Sequence, residues 1–183
     1  MKPNDSIKSQ IIFLIVVIIF SSFYSCKSEK NVKGDLIVKN GLIYKFGSNV
    51  PFTGKERAKV YKRTIEYDVV NGKKNGEFKI LFLNGKPEMI GQMVDNSNEG
   101  LWKYFYPNAQ VESEGNFKNN MLEGKWIWYY ENGSLKEEGN YIKGKREGEW
   151  ISYKEDGSIF EKKIFKDGNE VSTNSIKNLK SKK

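Results

Sequence analysis

The stretch GNYIKGKREGEW places Gly139, four residues, and then Gly144-Lys145 in the spacing of a phosphate-cradling loop. In such a loop backbone N–H groups and a lysine hold a nucleotide's phosphates, and a following Ser or Thr holds magnesium. Arg146 occupies that last position. A second chemistry is suggested by recurring carboxylates: Glu99, Glu123 and Glu147, and Glu112, Glu114, Glu137 and Glu138. Paired acids about 5–10 Å apart in a cleft could hydrolyse a glycoside. These acids recur at a fixed interval, however, as solvent-side positions of regular strands do. The chain contains no histidine, which removes the commonest general base and metal ligand. Its single cysteine excludes a disulfide framework and a Cys-cluster zinc site, and no run of Asp and Asn has the spacing of a calcium loop. A non-enzymatic protein is expected, with no cofactor and no metal.

The glycines are explained by a repeat, which has to be sought before any fold is assigned. Gly76, Gly100, Gly124 and Gly148 follow one another at intervals of 24 residues. Two positions after each stands a large aromatic: Phe78, Trp102, Trp126, Trp150. Eight positions after stand Asn84, Asn108, Asn132 and Asp156, followed by Gly85, Ala109, Gly133 and Gly157. Gly91, Gly115 and Gly139 come next, with Lys163 breaking the series. A degenerate fifth unit begins at Gly54, and Gly144 echoes Gly72 and Gly168.

Each unit reads as a β-hairpin, giving an all-β, elongated, single-layer antiparallel meander. WIWYY has strong strand preference, and Asn132-Gly133 suits a two-residue type I′ turn. That turn places Tyr130 opposite Leu135, Trp128 opposite Glu137 and Trp126 opposite Gly139. The same construction sets Trp102 against Gly115 and Phe78 against Gly91, so that three rings fold over the bare glycines they face, while Trp150 faces Lys163, as expected where a terminal repeat meets solvent. A hairpin with Asn40-Gly41 as its turn is expected to start the sheet. Strands on both sides of Gly139 and Gly144 leave no strand-to-helix context for a nucleotide loop.

Trp102, Tyr104 and Tyr106 alternate onto one face, as do Trp126, Trp128 and Tyr130; with Trp150 they form the candidate binding surface. Phe105, Tyr129 and Tyr153 lie on the other face. The alternative is that these rings are simply the apolar layer of a thin sheet. Exposed Tyr and Trp anchor protein contacts, and rings also stack on glycans.

The net charge of +8 sits mainly outside the repeats. Gly41 to Glu170 carries 21 Lys plus Arg against 20 Asp plus Glu, so no one-sided basic face for nucleic acid is expected. Lys2 and Lys8 precede the apolar run IIFLIVVIIF, Ile11 to Phe20. Ten helical residues span about 15 Å, half a hydrocarbon core of about 30 Å, which reads as an export signal. Cys26 follows directly in FYSC, which resembles the lipobox of bacterial lipoproteins in the relaxed form of Bacteroidetes-type bacteria. The resemblance implies an acylated Cys26 and a lipid-anchored location in the cell envelope, at the outer membrane of a Gram-negative bacterium. The expected organisation is a signal at 1–25, a linker at 26–34, a repeat domain at 35–170 and a basic disordered tail at 171–183.

The pattern G-K-W-x-x-Y-Y-x-N-G-x-L, with a later G-x-Y and G-K-x-x-G, resembles MORN repeats, in the type-2 variant of YwqK-family antitoxin proteins. The resemblance runs from about Leu36 to Gly168. It implies a twisted ribbon of hairpins without catalytic residues, in which Gly91, Gly115 and Gly139 match the inner glycine and Trp102, Trp126 and Trp150 the leading aromatic. The function expected is a protein-binding or assembly scaffold on the envelope. An antitoxin-like or immunity role and glycan capture are the alternatives.

Overall fold

The structure, a computed structural model, describes residues 35–175. The expected signal, Cys26, the linker at 26–34 and residues 176–183 lie outside the described residues. Thirteen strands and no helix are present among the described residues: β1 (Leu36–Lys39), β2 (Leu42–Lys45), β3 (Gly54–Val60), β4 (Arg63–Val70), β5 (Lys73–Leu81), β6 (Pro87–Val94), β7 (Ser97–Phe105), β8 (Val111–Lys118), β9 (Met121–Tyr129), β10 (Leu135–Ile142), β11 (Lys145–Tyr153), β12 (Ile159–Lys166) and β13 (Asn169–Ser175). Strands β3 to β13 form one open eleven-stranded antiparallel sheet in which spatial order is sequence order. Every connection within that sheet is a hairpin, so the meander expected from the repeat is the fold.

From β4 onward two kinds of turn alternate and so define two long edges. Asn71-Gly72, Asp95-Asn96, Asn119-Asn120, Lys143-Gly144 and Asp167-Gly168 hold both central residues at positive φ, between 49° and 86°. These are the type I′ turns whose twist matches the strands they join. On the other edge, the loops starting at Phe82, Tyr106, Tyr130 and Lys154 are longer. In each, the first residue's N–H donates to the carbonyl four residues on (2.8–2.9 Å), and the fourth residue's N–H returns to the first carbonyl (2.8–2.9 Å). That is a type I turn closed by a left-handed residue in a bulge.

The Asn132-Gly133 assignment is thereby corrected: Gly133 alone of the pair is left-handed, at φ +83°. Asn132 Oδ1 instead accepts from Ser134 N–H (2.9 Å) and Oγ–H (2.7 Å), which stabilises the wider loop. Leu135 pairs with Tyr129 instead of Tyr130, and a bulge absorbs the offset before Glu137. Beyond it the expected register holds, with Trp128↔Glu137 and Trp126↔Gly139. Trp102↔Gly115, Phe78↔Gly91 and Trp150↔Lys163 likewise pair as expected.

Two boundaries also move. The Asn40-Gly41 hairpin forms, but β1 and β2 make a separate two-stranded sheet. Ile43 N–H donates to the Gly72 carbonyl and Phe52 N–H to the Ile43 carbonyl, both at 2.8 Å. Leu36 and Ile43 close over Val69, with Phe52 and Tyr67 against them. The hairpin caps the first end of the apolar row, where Ile and Leu side chains find more to bury than on an edge. At the other end β13 extends past residue 170 to Ser175. The Asp167-Gly168 turn folds residues of the expected tail back onto β12, which pairs Lys163 with Thr173 and Glu161 with Ser175.

Candidate functional surface

One face of the sheet carries a continuous line of rings. Tyr67–Phe78 (centroids 6.2 Å), Phe78–Trp102 (5.9 Å), Trp102–Phe117 (5.7 Å), Phe117–Trp126 (5.3 Å), Trp126–Tyr141 (6.4 Å), Tyr141–Trp150 (5.1 Å) and Trp150–Phe165 (6.0 Å) follow without a break. Most of these contacts are steeply inclined, the edge-to-face geometry that the ring quadrupole favours. Trp102, Trp126 and Trp150 are only 1%, 3% and 2% exposed. Burial therefore removes these three from the candidate binding surface: they are the core of the thin sheet.

The glycine each tryptophan covers is the one on the preceding strand, a correction to the hairpin-partner assignment. A Cβ added at Gly91 would overlap the Trp102 ring, one at Gly115 the Trp126 ring and one at Gly139 the Trp150 ring. The pairing of β6 with β7 slips at that point, between Ile90 and Gln92, as β8–β9 and β10–β11 do after Gly115 and around Gly139. Gly100, Gly124 and Gly148, at φ +66° to +71°, take up the extra residues. Each indole then donates its N–H just beyond the covered glycine: Trp102 to the Gln92 carbonyl (3.2 Å), Trp126 to Asn116 (3.0 Å), Trp150 to Asn140 (3.3 Å).

The recurring carboxylates have structural duties as well. Glu99 accepts from Asn119 N–H (2.7 Å), Glu123 from Lys143 N–H (2.9 Å) and Glu147 from Asp167 N–H (2.8 Å). Each caps the type I′ turn one hairpin onward from a position still partly open to solvent. Glu114 accepts from Tyr129 Oη (3.0 Å) and lies 2.8 Å from Lys103 Nζ; Glu138 does the same with Tyr153 (2.9 Å) and Lys125 (2.8 Å). The hydrogen bond from the lysine is the main force holding each of these two carboxyls below its usual value. Tyr106 and Tyr130 donate their hydroxyls to the Tyr129 and Tyr153 carbonyls, both at 2.7 Å, tying each wide loop to the next hairpin.

Of the expected surface residues, Tyr104, Tyr106, Trp128 and Tyr130 remain half-buried. Trp128 lies across Trp126 (5.8 Å) and Trp150 (5.6 Å), against Tyr141 (6.4 Å), and stays partly exposed. Burial, then Glu112, raises the Tyr104 phenol far above its ordinary value. Glu112 itself is raised chiefly by burial, against an opposing pull from Lys136. Lys136 Nζ stands 5.5 Å from the Tyr130 ring centre. At the ends of the ring line, Arg146 lies 4.1 Å over Trp150, and Lys74 lies 5.0 Å over Tyr67. Burial lowers the Lys74 ammonium and pushes the Tyr67 phenol up to about 12. Hydrophobic periodicity gave no hint of the Glu99 caps, although the constant interval from Glu99 to Asn119 and from Glu123 to Lys143 is visible in the sequence once the turns are known.

No curated protein matches the chain. Among solved structures, S. aureus TarM, a mutant crystallised with fondaparinux, alpha-GlcNAc-glycerol and UDP, is similar at 12% identity and a TM-score of 0.21, over 63% of this chain and 20% of that one. A second TarM structure stands at 13% identity, TM-score 0.21 and the same coverage. The chain thus spans about one fifth of their length, and at that TM-score the likeness carries no weight for fold or ligand. Residues 98–119, 122–143 and 146–167, each one hairpin with the first residue of its outgoing turn, match the MORN repeat variant in three consecutive copies.

Proposed function

We propose that the chain is a non-enzymatic cell-envelope lipoprotein, tethered through Cys26, whose hairpin repeats act as a binding or assembly scaffold for a protein partner. The observation that carries the reading is how the repeated side chains divide. Trp102, Trp126, Trp150, Glu99, Glu123, Glu147, Tyr106 and Tyr130 are all engaged in holding one hairpin to the next. Carboxylates spent on turn amides are poor candidates for acid–base chemistry. Trp128 and Tyr104 stay half-buried on a rigid spine, and pre-organised aromatic anchors lose little freedom on binding.

Photo-crosslinking tests the scaffold role, using the full-length chain in its native envelope with a photoreactive residue at Trp128, Pro107 or Glu155 in turn. A discrete protein adduct from at least one position is expected; the absence of any would end the proposal. Glycan capture predicts instead a selective hit when the folded protein is applied to a glycan array. The tether is tested separately: Cys26→Ser should abolish acyl labelling and shift the protein out of the detergent phase.

A further inference from the structure

The repeat supplies its own control, because equivalent loops ought to carry equivalent residues unless something besides the fold selects them. Phe82-Leu83 stand where the later wide loops carry Tyr106-Pro107, Tyr130-Glu131 and Lys154-Glu155. Tyr106 and Tyr130 use their hydroxyls to tie their loops to the next hairpin, and Phe82 has no hydroxyl to do so. Leu83 is 80% exposed at the loop tip, a position where a leucine contributes nothing to the sheet. Beside it, in the β3–β4 turn, Tyr61 is fully exposed and held at φ +54°, a conformation unfavourable for a ring-bearing residue. Thr64 pairs with Leu81, so turn and loop are neighbours on one edge.

Lys62, Arg63, Phe82, Leu83, Asn84 and Pro107 together line a shallow recess of about 470 Å³. Its rim is basic. Arg63 is fixed there by a fork onto Glu88 (Nε–Oε2 2.5 Å, Nη2–Oε1 2.7 Å). Lys62 is exposed beside it, and Lys86 is exposed in the same loop, its carbonyl accepting from the Phe82 N–H (2.9 Å). From an apolar floor with a cationic rim, placed where the repeat departs from its own pattern, we infer that this corner is the docking site for an acidic protein segment that inserts one large apolar side chain. The inference rests on the scaffold reading and names where and with what chemistry the partner is held. Juxtamembrane attraction to anionic lipid takes a cluster of about 4–8 Lys or Arg; with Arg63 already paired to Glu88, the few charges here suit a short acidic protein segment better than a lipid surface.

The test uses the full-length chain in its native envelope, with the photoreactive residue at Pro107, inside the recess, and at Glu155, the equivalent tip two repeats on. The expected adduct from position 107 maps to one protein at a segment rich in Asp or Glu. Its yield should fall about tenfold or more with Leu83→Ser, and again with Lys62→Glu combined with Lys86→Glu, because like charges facing each other oppose docking. Reversing the mapped acids to lysine should restore it. All five substituted positions are exposed, and unchanged thermal melts confirm that the variants fold. Adducts to lipid, equal yields from positions 107 and 155, or indifference to the charge reversal would each overturn the inference. A protein adduct from Trp128 but none from 107 would leave the scaffold standing and remove only this corner.

Discussion

Gly115 has no room for a methyl group, because the Trp126 ring already occupies the space. Gly115→Ala is therefore expected to cost about 3 kcal/mol, at the upper end for overpacking, since ring and backbone are both fixed. The shift of the urea midpoint measures it. Ala109 shows the opposite defect: it sits at φ +75° where its counterparts are Gly85, Gly133 and Gly157. Left-handed geometry costs an L-residue about 1–2 kcal/mol, so Ala109→Gly should raise the midpoint by a corresponding amount. Asn98 is buried with its Oδ1 unpartnered, while Leu122 fills the same place one repeat on. Asn98→Leu is expected to stabilise by about 1 kcal/mol, read from the same titration.

Between strands, the ion-paired columns set the response to acid. Glu114 and Glu138 have carboxyls held below 4.5, first by the hydrogen bonds from Lys103 and Lys125. A group lowered on folding contributes stability above its unfolded value and loses it as pH falls through the lowered one. Thermal melts should accordingly drop as pH falls below about 4.5, and Glu114→Gln should make that decline shallower. Glu112 runs the other way, since burial raises it: its ionisation works against folding, so Glu112→Gln should help at neutral pH and make no difference in strong acid.

The same scale shows what could be read without coordinates. The interval from Gly76 to Gly148 fixed which strands pair, because a one-residue slip would turn every Trp to the wrong face. Asn132-Gly133 did not reveal its turn type, since both the I′ turn and the wider bulged loop accept that pair. The burial of Trp102 was equally hidden: it depends on Gly91, on a strand outside the tryptophan's own hairpin, and on Phe117 beyond. Neither contact follows from alternation along β7. The period also predicts an experiment. Removing residues 99–122 joins Asn98 to Glu123 and restores the Asn-Glu-Gly context in register. That shortened chain should keep its strand circular dichroism and a cooperative melt, whereas removing 99–121 should give neither.

Across the whole molecule, the two ends are finished differently. At the first end Leu36, Ile43 and Phe52 close the apolar row, and Phe78 stacks on Tyr67 in place of a glycine seat. At the last, Lys163 stands where a glycine would receive another tryptophan, and it pairs instead with Glu161 (3.4 Å) and Glu170 (3.2 Å). The departure of Lys163 from the ruler, plain in the sequence, thus marks the place where the row stops. The Phe82-Leu83 departure does not help to close the row, since Leu83 lies exposed at its loop tip, and it points outward to a partner.

Trp102, Trp126 and Trp150 each cover a glycine on the strand before their own, and that asymmetry gives the ribbon a direction of growth. A hairpin leaving the ribosome finds its seat already built and can lock at once without waiting for the remainder of the chain. A nascent chain arrested after Lys143 would already hold Trp102 and Trp126 on Gly91 and Gly115, whereas a fragment beginning at Asn98 would start life with Trp102 stripped of its berth.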